Sequence, residues 1–180
     1  MTFDFSWLIG GPQGSGVDTA ANIFSRVGAK LGYNIFGKRE YHSNIKGLHS
    51  YFVVRLSDNK IRSNVNGANI MVAFDAETMI RHGLSISKNG AIIYDSSIVN
   101  TSIDEIPTIE ADHRVRLHEF FKSKNMEPKV SSIIELAKES GVNVYPISFW
   151  DTLSNIADEL KKPELSRMTR MFNVLGVSFS

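Results

Sequence analysis

Phe5 to Ile9 is a short apolar run of aromatic and branched residues that stops at Gly10-Gly11, which predicts a buried strand. Past the glycines, apolar residues recur at Val17, Ala20, Ala21, Phe24, Val27 and Leu31, the spacing of a helix with one face toward a core, and Gly32 supplies its stop. Ser15 and Asp18 match a capping box, so this helix is expected to start at Ser15 or within a residue of it. The chain then reads extended from Tyr33 through Phe36, polar from Gly37 to Ser50, and extended again over Tyr51 to Leu56, before a turn at Ser57-Asp58-Asn59-Lys60.

Asn69 to Phe74 and Ala91 to Tyr94 repeat the buried-strand pattern, and between them Asp75 can cap a short helix ending near His82. Asn100 to Pro128 is polar and mixed, and reads as a surface excursion. Helical patterning returns at Ser132-Ile-Ile-Glu135, a second capping box, and stops near Gly141. Val142 to Ile147 reads as a late strand, Ser148 to Leu160 as a helix capped by Ser148 with Asp151, and Pro163 as the opening of a last helix. Strands that are apolar on both faces and alternate with helices predict an α/β fold: three layers, with a mainly parallel sheet flanked by helices in the Rossmann-like manner.

The 180 residues, 42% hydrophobic and 22% charged, suit one globular domain spanning 1–180. A formal charge of +1, from 20 basic and 19 acidic residues, supplies no global field for nucleic acid or an anionic membrane, so any anion site has to be local. The absence of cysteine excludes disulfides, thiolate zinc sites, a cysteine nucleophile and a cysteine-ligated iron–sulfur cluster on these residues. No basic stretch leads an apolar run after Met1 and no uncharged stretch is long enough to span a bilayer, so a cytoplasmic location without membrane contact is expected. The apolar ending Gly176-Val-Ser-Phe-Ser180 suggests a domain excised from a longer polypeptide.

Two segments carry candidate chemistry. Gly10-Gly11-Pro12-Gln13-Gly14-Ser15-Gly16 lies between the first strand and helix, where glycines permit close backbone approach and a helix start offers open N–H groups and partial positive charge. It fails the G-x-G-x-x-G spacing, and Val17 and Asp18 stand where a Walker A loop needs Lys and Ser or Thr, which argues against nucleoside triphosphate hydrolysis. The other reading is a tight turn whose glycines only allow packing. The segment 38–50 brings Lys38, Arg39 and Lys46 as phosphate ligands, and Ser43, Asn44 and His49 to orient a polar ligand; a solvated loop is the alternative. His42 and His49 lack metal-ligand spacing, so no metal site is expected. Asp75 and Glu77 are better explained as a cap and a first-turn carboxylate than as an acid–base pair, and Trp7, Trp150 and the phenylalanines read as core.

In their order, the strand, Gly10 to Gly16, the helix and Glu40-Tyr-His-Ser-Asn-Ile-Lys-Gly-Leu-His-Ser50 closely resemble the gamma-type domain, or domain III, of 2-oxoacid:ferredoxin oxidoreductases, in the version at the N-terminus of the fused alpha subunit. The family pattern E-Y-x-S-x-x-K/R-G-G-H-S and an aspartate after a strand (Phe74-Asp75) are present, and Asn173-Val-Leu-Gly176 stands where the family has its late N-x-x-x-L-G ending, with Leu48 in place of the second glycine and Pro12 removing one N–H from the glycine loop. The resemblance implies oxidative decarboxylation of a 2-oxoacid such as pyruvate or 2-oxoglutarate on thiamine diphosphate, electron flow through iron–sulfur clusters to ferredoxin, and capture of the acyl group by coenzyme A. Thiamine diphosphate, magnesium and the 4Fe–4S cluster are then expected on the beta subunit or other alpha-subunit domains, with this domain inactive alone. It further implies that Gly11, Gln13, Gly14, Ser15 and Gly16 contact coenzyme A, and that Ser43, Asn44, Lys46 and His49 face partner domains and the cofactor channel. The competing functional reading is a stand-alone module for a nucleotide or phosphate ligand.

Overall fold

A computed structural model of the chain describes residues 2–41, 49–167 and 176–178. Six strands form one sheet in the order β2-β3-β1-β4-β5-β6: β1 (Asp4–Pro12), β2 (Asn34–Tyr41), β3 (His49–Ser57), β4 (Ala68–Ala73), β5 (Ile86–Asp95) and β6 (Asn143–Ile147). The β1·β4, β4·β5 and β5·β6 pairings are parallel, as expected. The β2–β3 hairpin is the departure: β3 runs antiparallel to both β1 and β2, making the sheet mixed. Much of the segment read as polar loop, Gly37 to Tyr41 and His49 to Ser50, therefore lies in strands, because ladder pairing satisfies its backbone whatever its side chains are.

Strand alternation divides the core into two layers. Trp7, Ile9, Val54, Val72 and Ile93 face helices α1 (Val17–Lys30) and α5 (Phe149–Glu159). Leu8, Met71, Ala73, Ile92 and Tyr94 face α2 (Ala76–His82) and α4 (Val130–Glu139). Trp7 is fully buried and stacks on Phe24 at 4.5 Å, while Trp150, expected in the core, is 48% exposed.

The predicted caps divide. Asp75 accepts from the Thr78 N–H and Ser148 from the Asp151 N–H, as expected. Ser15 does not cap α1: the N-cap is Gly16 in a left-handed conformation, with no side-chain cap. Ser132 lies inside α4, whose N-cap Lys129 makes no side-chain cap bond. Pro163 opens a 3-10 turn, Pro163–Arg167, rather than an α-helix.

The stretch 100–128 is no solvated excursion. It contains α3 (Ala111–Ser123) and buries Ile103, Ile106, Ile109 and Phe121 against α2 and α4. At the sheet's far side β6 is an edge strand with Pro146 in the middle of an unbroken pairing with β5. No helix among the described residues is long and apolar enough to cross a membrane.

Candidate functional site: the carboxyl edge of the sheet

Because β1, β4, β5 and β6 run parallel, their carboxyl ends share one edge, where open α/β sheets place their crevices. The glycine loop leaves β1 at this edge, and the antiparallel register brings the start of β3 to it, pairing Pro12 with His49 and Gly11 with Ser50. The two signals found far apart in the sequence are thus joined by direct strand pairing.

The loop is a tight turn closed by the Ser15 N–H donating to the Pro12 carbonyl at 3.0 Å. Its glycines serve different ends. A Cβ on Gly10 would lie 2.6 Å from the Thr78 side chain, and one on Gly11 2.9 Å from Phe74, so those two allow close packing of α2 and the β4 end. Gly14 and Gly16 instead adopt φ of 98° and 91°, a region that L side chains avoid, and a Cβ on Gly14 would meet open space. The Ser15 N–H is engaged in the turn, whereas the N–H groups of Gly16 and the first turn of α1, where no side chain caps the helix, are open to a ligand.

Those donors open on a cavity of about 230 Å³ lined by Gln13, Gly14, Gly16, Asp18, Arg39 and Ser50. Drug-sized ligands occupy pockets of roughly 300–1,000 Å³, so this one suits a single group of a ligand, such as a phosphate, with the remainder lying outside. Two polar atoms, Gln13 Oε1 and Ser15 Oγ, are buried without a hydrogen-bond partner among the described residues. Such groups are rare in native proteins because desolvating them uncompensated costs about 1–3 kcal/mol. Arg39 Nη2 stands 2.9 Å from Asp18 Oδ2, which neutralises the carboxylate nearest the helix start and sets a guanidinium at the cavity. Both side chains are more than a third exposed, so this pair adds charge balance more than stability.

His49 is only 1% exposed and its imidazole turns to the α2 face, away from this cavity, with Nε2 3.3 Å from Nε2 of His82. Its backbone reaches the site while its side chain does not line it. Lys38 lies on that same second face, ion-paired to Glu40, which also accepts from the Tyr51 hydroxyl. Ser43, Asn44 and Lys46 fall outside the described residues. His82 was not legible as a partner, since 33 residues separate it from His49 and no motif marks it.

Neither acidic residue of the Asp75/Glu77 pair is placed for acid–base work. Asp75 Oδ1 accepts from Thr78 N at 2.8 Å, and Glu77, 5% exposed, is held by Arg81 Nε at 2.7 Å and by the Thr108 hydroxyl. Burial raises the Asp75 pKa above the ordinary carboxylate value, outweighing its hydrogen bonds to Thr78. A raised folded-state pKa stabilises at low pH and loses that contribution as pH rises through it. Asp75→Asn, which keeps the acceptor without the charge, is therefore expected to unfold at higher denaturant than the parent at pH 7, with the gap narrowing toward pH 4. Asp75→Ala should lose about 1 kcal/mol with the cap.

A model of the pyruvate ferredoxin/flavodoxin oxidoreductase family matches residues 6–180. The chain is 40% identical over 175 residues to the alpha subunit of 2-oxoacid:ferredoxin oxidoreductase 1 from Sulfurisphaera tokodaii, covering 97% of this chain and 27% of that protein. It is 34% identical over 175 residues to the alpha subunit of 2-oxoacid:ferredoxin oxidoreductase 2 from Aeropyrum pernix, again 97% of this chain and 27% of the relative. It thus spans about a quarter of the length of these relatives. Among solved structures, the 2-oxoglutarate:ferredoxin oxidoreductase of Magnetococcus marinus, with 2-oxoglutarate, coenzyme A and succinyl-CoA bound, superposes with a TM-score of 0.56 at 15% identity, over 98% of this chain and 31% of that one. The gamma subunit of a keto/oxoacid ferredoxin oxidoreductase from Geobacter sulfurreducens gives 0.53 at 11% identity, over 98% and 99%. These two likenesses speak for the fold alone, whereas the family match and the close relatives cover nearly every residue: the chain belongs to the pyruvate ferredoxin/flavodoxin oxidoreductase family.

Proposed function

We propose that this chain is the gamma-type domain of a 2-oxoacid:ferredoxin oxidoreductase alpha subunit, not active alone, and that its glycine loop holds a phosphate of coenzyme A. Oxidative decarboxylation of the 2-oxoacid, with ferredoxin reduction, belongs to the assembled enzyme. Thiamine diphosphate, magnesium and the 4Fe–4S cluster sit on the beta subunit or on other alpha-subunit domains, and the complex works in the cytoplasm. The observation that carries the site is the uncapped helix start, which opens together with the unpartnered Gln13 oxygen on a cavity lined by Gln13, Gly16, Val17 and Asp18.

Coenzyme A, when bound, supplies the thiol that accepts the acyl group. The chain's own part is to bind and orient it. The N–H groups of Gly16, Val17 and Asp18 donate to phosphate oxygens and Arg39 balances charge at the mouth, while the Ser15 hydroxyl, buried behind the cavity lining beside Gly11, steadies the loop. The Gln13 oxygen accepts from a donor on the ligand. Ser43, Asn44 and Lys46, which fall in sequence between β2 and β3, and the backbone at His49 are proposed to meet the cofactor channel and the partner domains.

Calorimetric titration of coenzyme A into the assembled oxidoreductase tests this. Ser15→Ala and Gln13→Ala should each weaken binding by about 0.5–1.5 kcal/mol, roughly two- to tenfold. Unchanged affinity in both variants would remove the loop from the site. Tight ATP binding with no coenzyme A binding would favour the stand-alone nucleotide module, and turnover by residues 1–180 alone would end the non-autonomous reading.

A further inference from the structure

His49 opens β3 and His82 closes α2, and their rings lie 5.5 Å apart at 27° with the two Nε2 atoms 3.3 Å apart. Two ring nitrogens at that separation form a hydrogen bond only when one carries a hydrogen and the other a lone pair. The two Nε2 positions therefore hold one proton between them. A proton on each Nε2 sets two N–H groups head to head, and when both rings are cationic it also brings two like charges together.

Among the described residues, groups of both signs face the pair. The Tyr51 ring packs against both imidazoles, 5.6 Å from His49 and 4.3 Å from His82, and its hydroxyl is committed to Glu40. Glu40 favours an added proton on the pair but is itself ion-paired to Lys38. Arg81, next to His82 on α2, opposes that proton and is offset by Glu77 and Glu110. Arg62, from the β3–β4 connection, lines a second cavity, on the α2 face, together with Lys38, Glu40, Tyr51 and His82.

The consequence runs through the strands. His49 pairs with Pro12, the first residue of the glycine-loop turn, and Ser50 pairs with Gly11 while lining the anion cavity on the opposite face. Whatever fixes His49 against α2 also fixes Pro12 and Ser50. We propose that His82 is a positioning residue for that cavity: by sharing one proton with His49 it clamps the start of β3, and the clamp opens in acid, when both imidazoles are protonated. The link from the clamp to coenzyme A rests on the function proposed above; the clamp itself does not.

Hydrogen exchange with mass spectrometry on the assembled oxidoreductase decides it. Peptides spanning 8–16 and 49–54 are followed at pH 7.5 and 5.5, corrected for intrinsic rates, with 149–159 in α5 as the internal control. The two site peptides of the parent should exchange roughly fivefold faster at pH 5.5. His82→Ala should raise their exchange at both pH values. His82→Gln, which offers a donor but gains no charge, should abolish the pH dependence. Unchanged exchange in His82→Ala, or a full pH response in His82→Gln, overturns the proposal. If the α5 control also opens in His82→Ala, the domain has unfolded and the glutamine variant decides. KM for coenzyme A separates the two readings: faster exchange with unchanged KM leaves the clamp standing and removes coenzyme A from the cavity.

Discussion

Arg81→Ala is expected to cost the domain about 3–5 kcal/mol, the range for breaking a buried ion pair from one side. Arg81 is 10% exposed at its side chain and Glu77 6%, so removing the guanidinium leaves a carboxylate in the interior with, among the described residues, only the Thr108 hydroxyl as partner. The same arginine reaches Glu110 at 3.0 Å and the Thr108 carbonyl at 3.3 Å, so its loss also removes two polar ties between α2 and the stretch before α3. Replacing both members, as in Glu77→Met with Arg81→Leu, should recover most of that loss, because a well-packed apolar pair carries no desolvation penalty. Urea unfolding of the single and double variants measures both quantities. A single variant within about 1 kcal/mol of the parent would mean that water reaches the pair and screens it.

Gly16→Val is expected to weaken coenzyme A binding roughly ten- to hundredfold, the equivalent of about 1.5–3 kcal/mol. At φ of 91° a β-branched residue is a steric outlier, so the chain either stores the strain or moves toward negative φ. Such a move re-aims the N–H groups that start α1, and with them the proposed phosphate cradle. Gly14→Ala is the milder comparison, since its side chain meets open space and adds strain alone. Calorimetry on the assembled enzyme reads the affinities, and a melting curve separates a lost site from a lost fold. Equal coenzyme A affinity in the parent and Gly16→Val would show that those N–H groups do not bear on the ligand.

What the sequence disclosed was local. Asp75 and Ser148 cap their helices because a side-chain oxygen three residues before an N–H needs nothing beyond its own turn. Ser15 satisfied the same pattern and failed, because the left-handed Gly16 takes the cap position and leaves the serine hydroxyl buried in the loop. Helix α3 escaped notice because Phe121 is its one buried residue, so it shows almost no apolar stripe. The buried Ile103, Ile106 and Ile109, three residues apart, were the available sign that 100–128 belongs to the core. The antiparallel direction of β3 and the meeting of His49 with His82 are set by long-range pairing, which leaves no periodic trace. The glycine loop was legible as a candidate anion site, while the contribution of Arg39 and Ser50 to the same cavity followed only from the hairpin.

Pro146 sits mid-way along β6 without interrupting its ladder to β5, so the N–H it lacks is missing from the outward row. A strand from a neighbouring molecule laid against that rim would find a gap in its donors and a rigid pyrrolidine ring. Growth of the sheet by stacking copies side by side is thereby discouraged at this border, and any lateral addition is left to the opposite one, along β2.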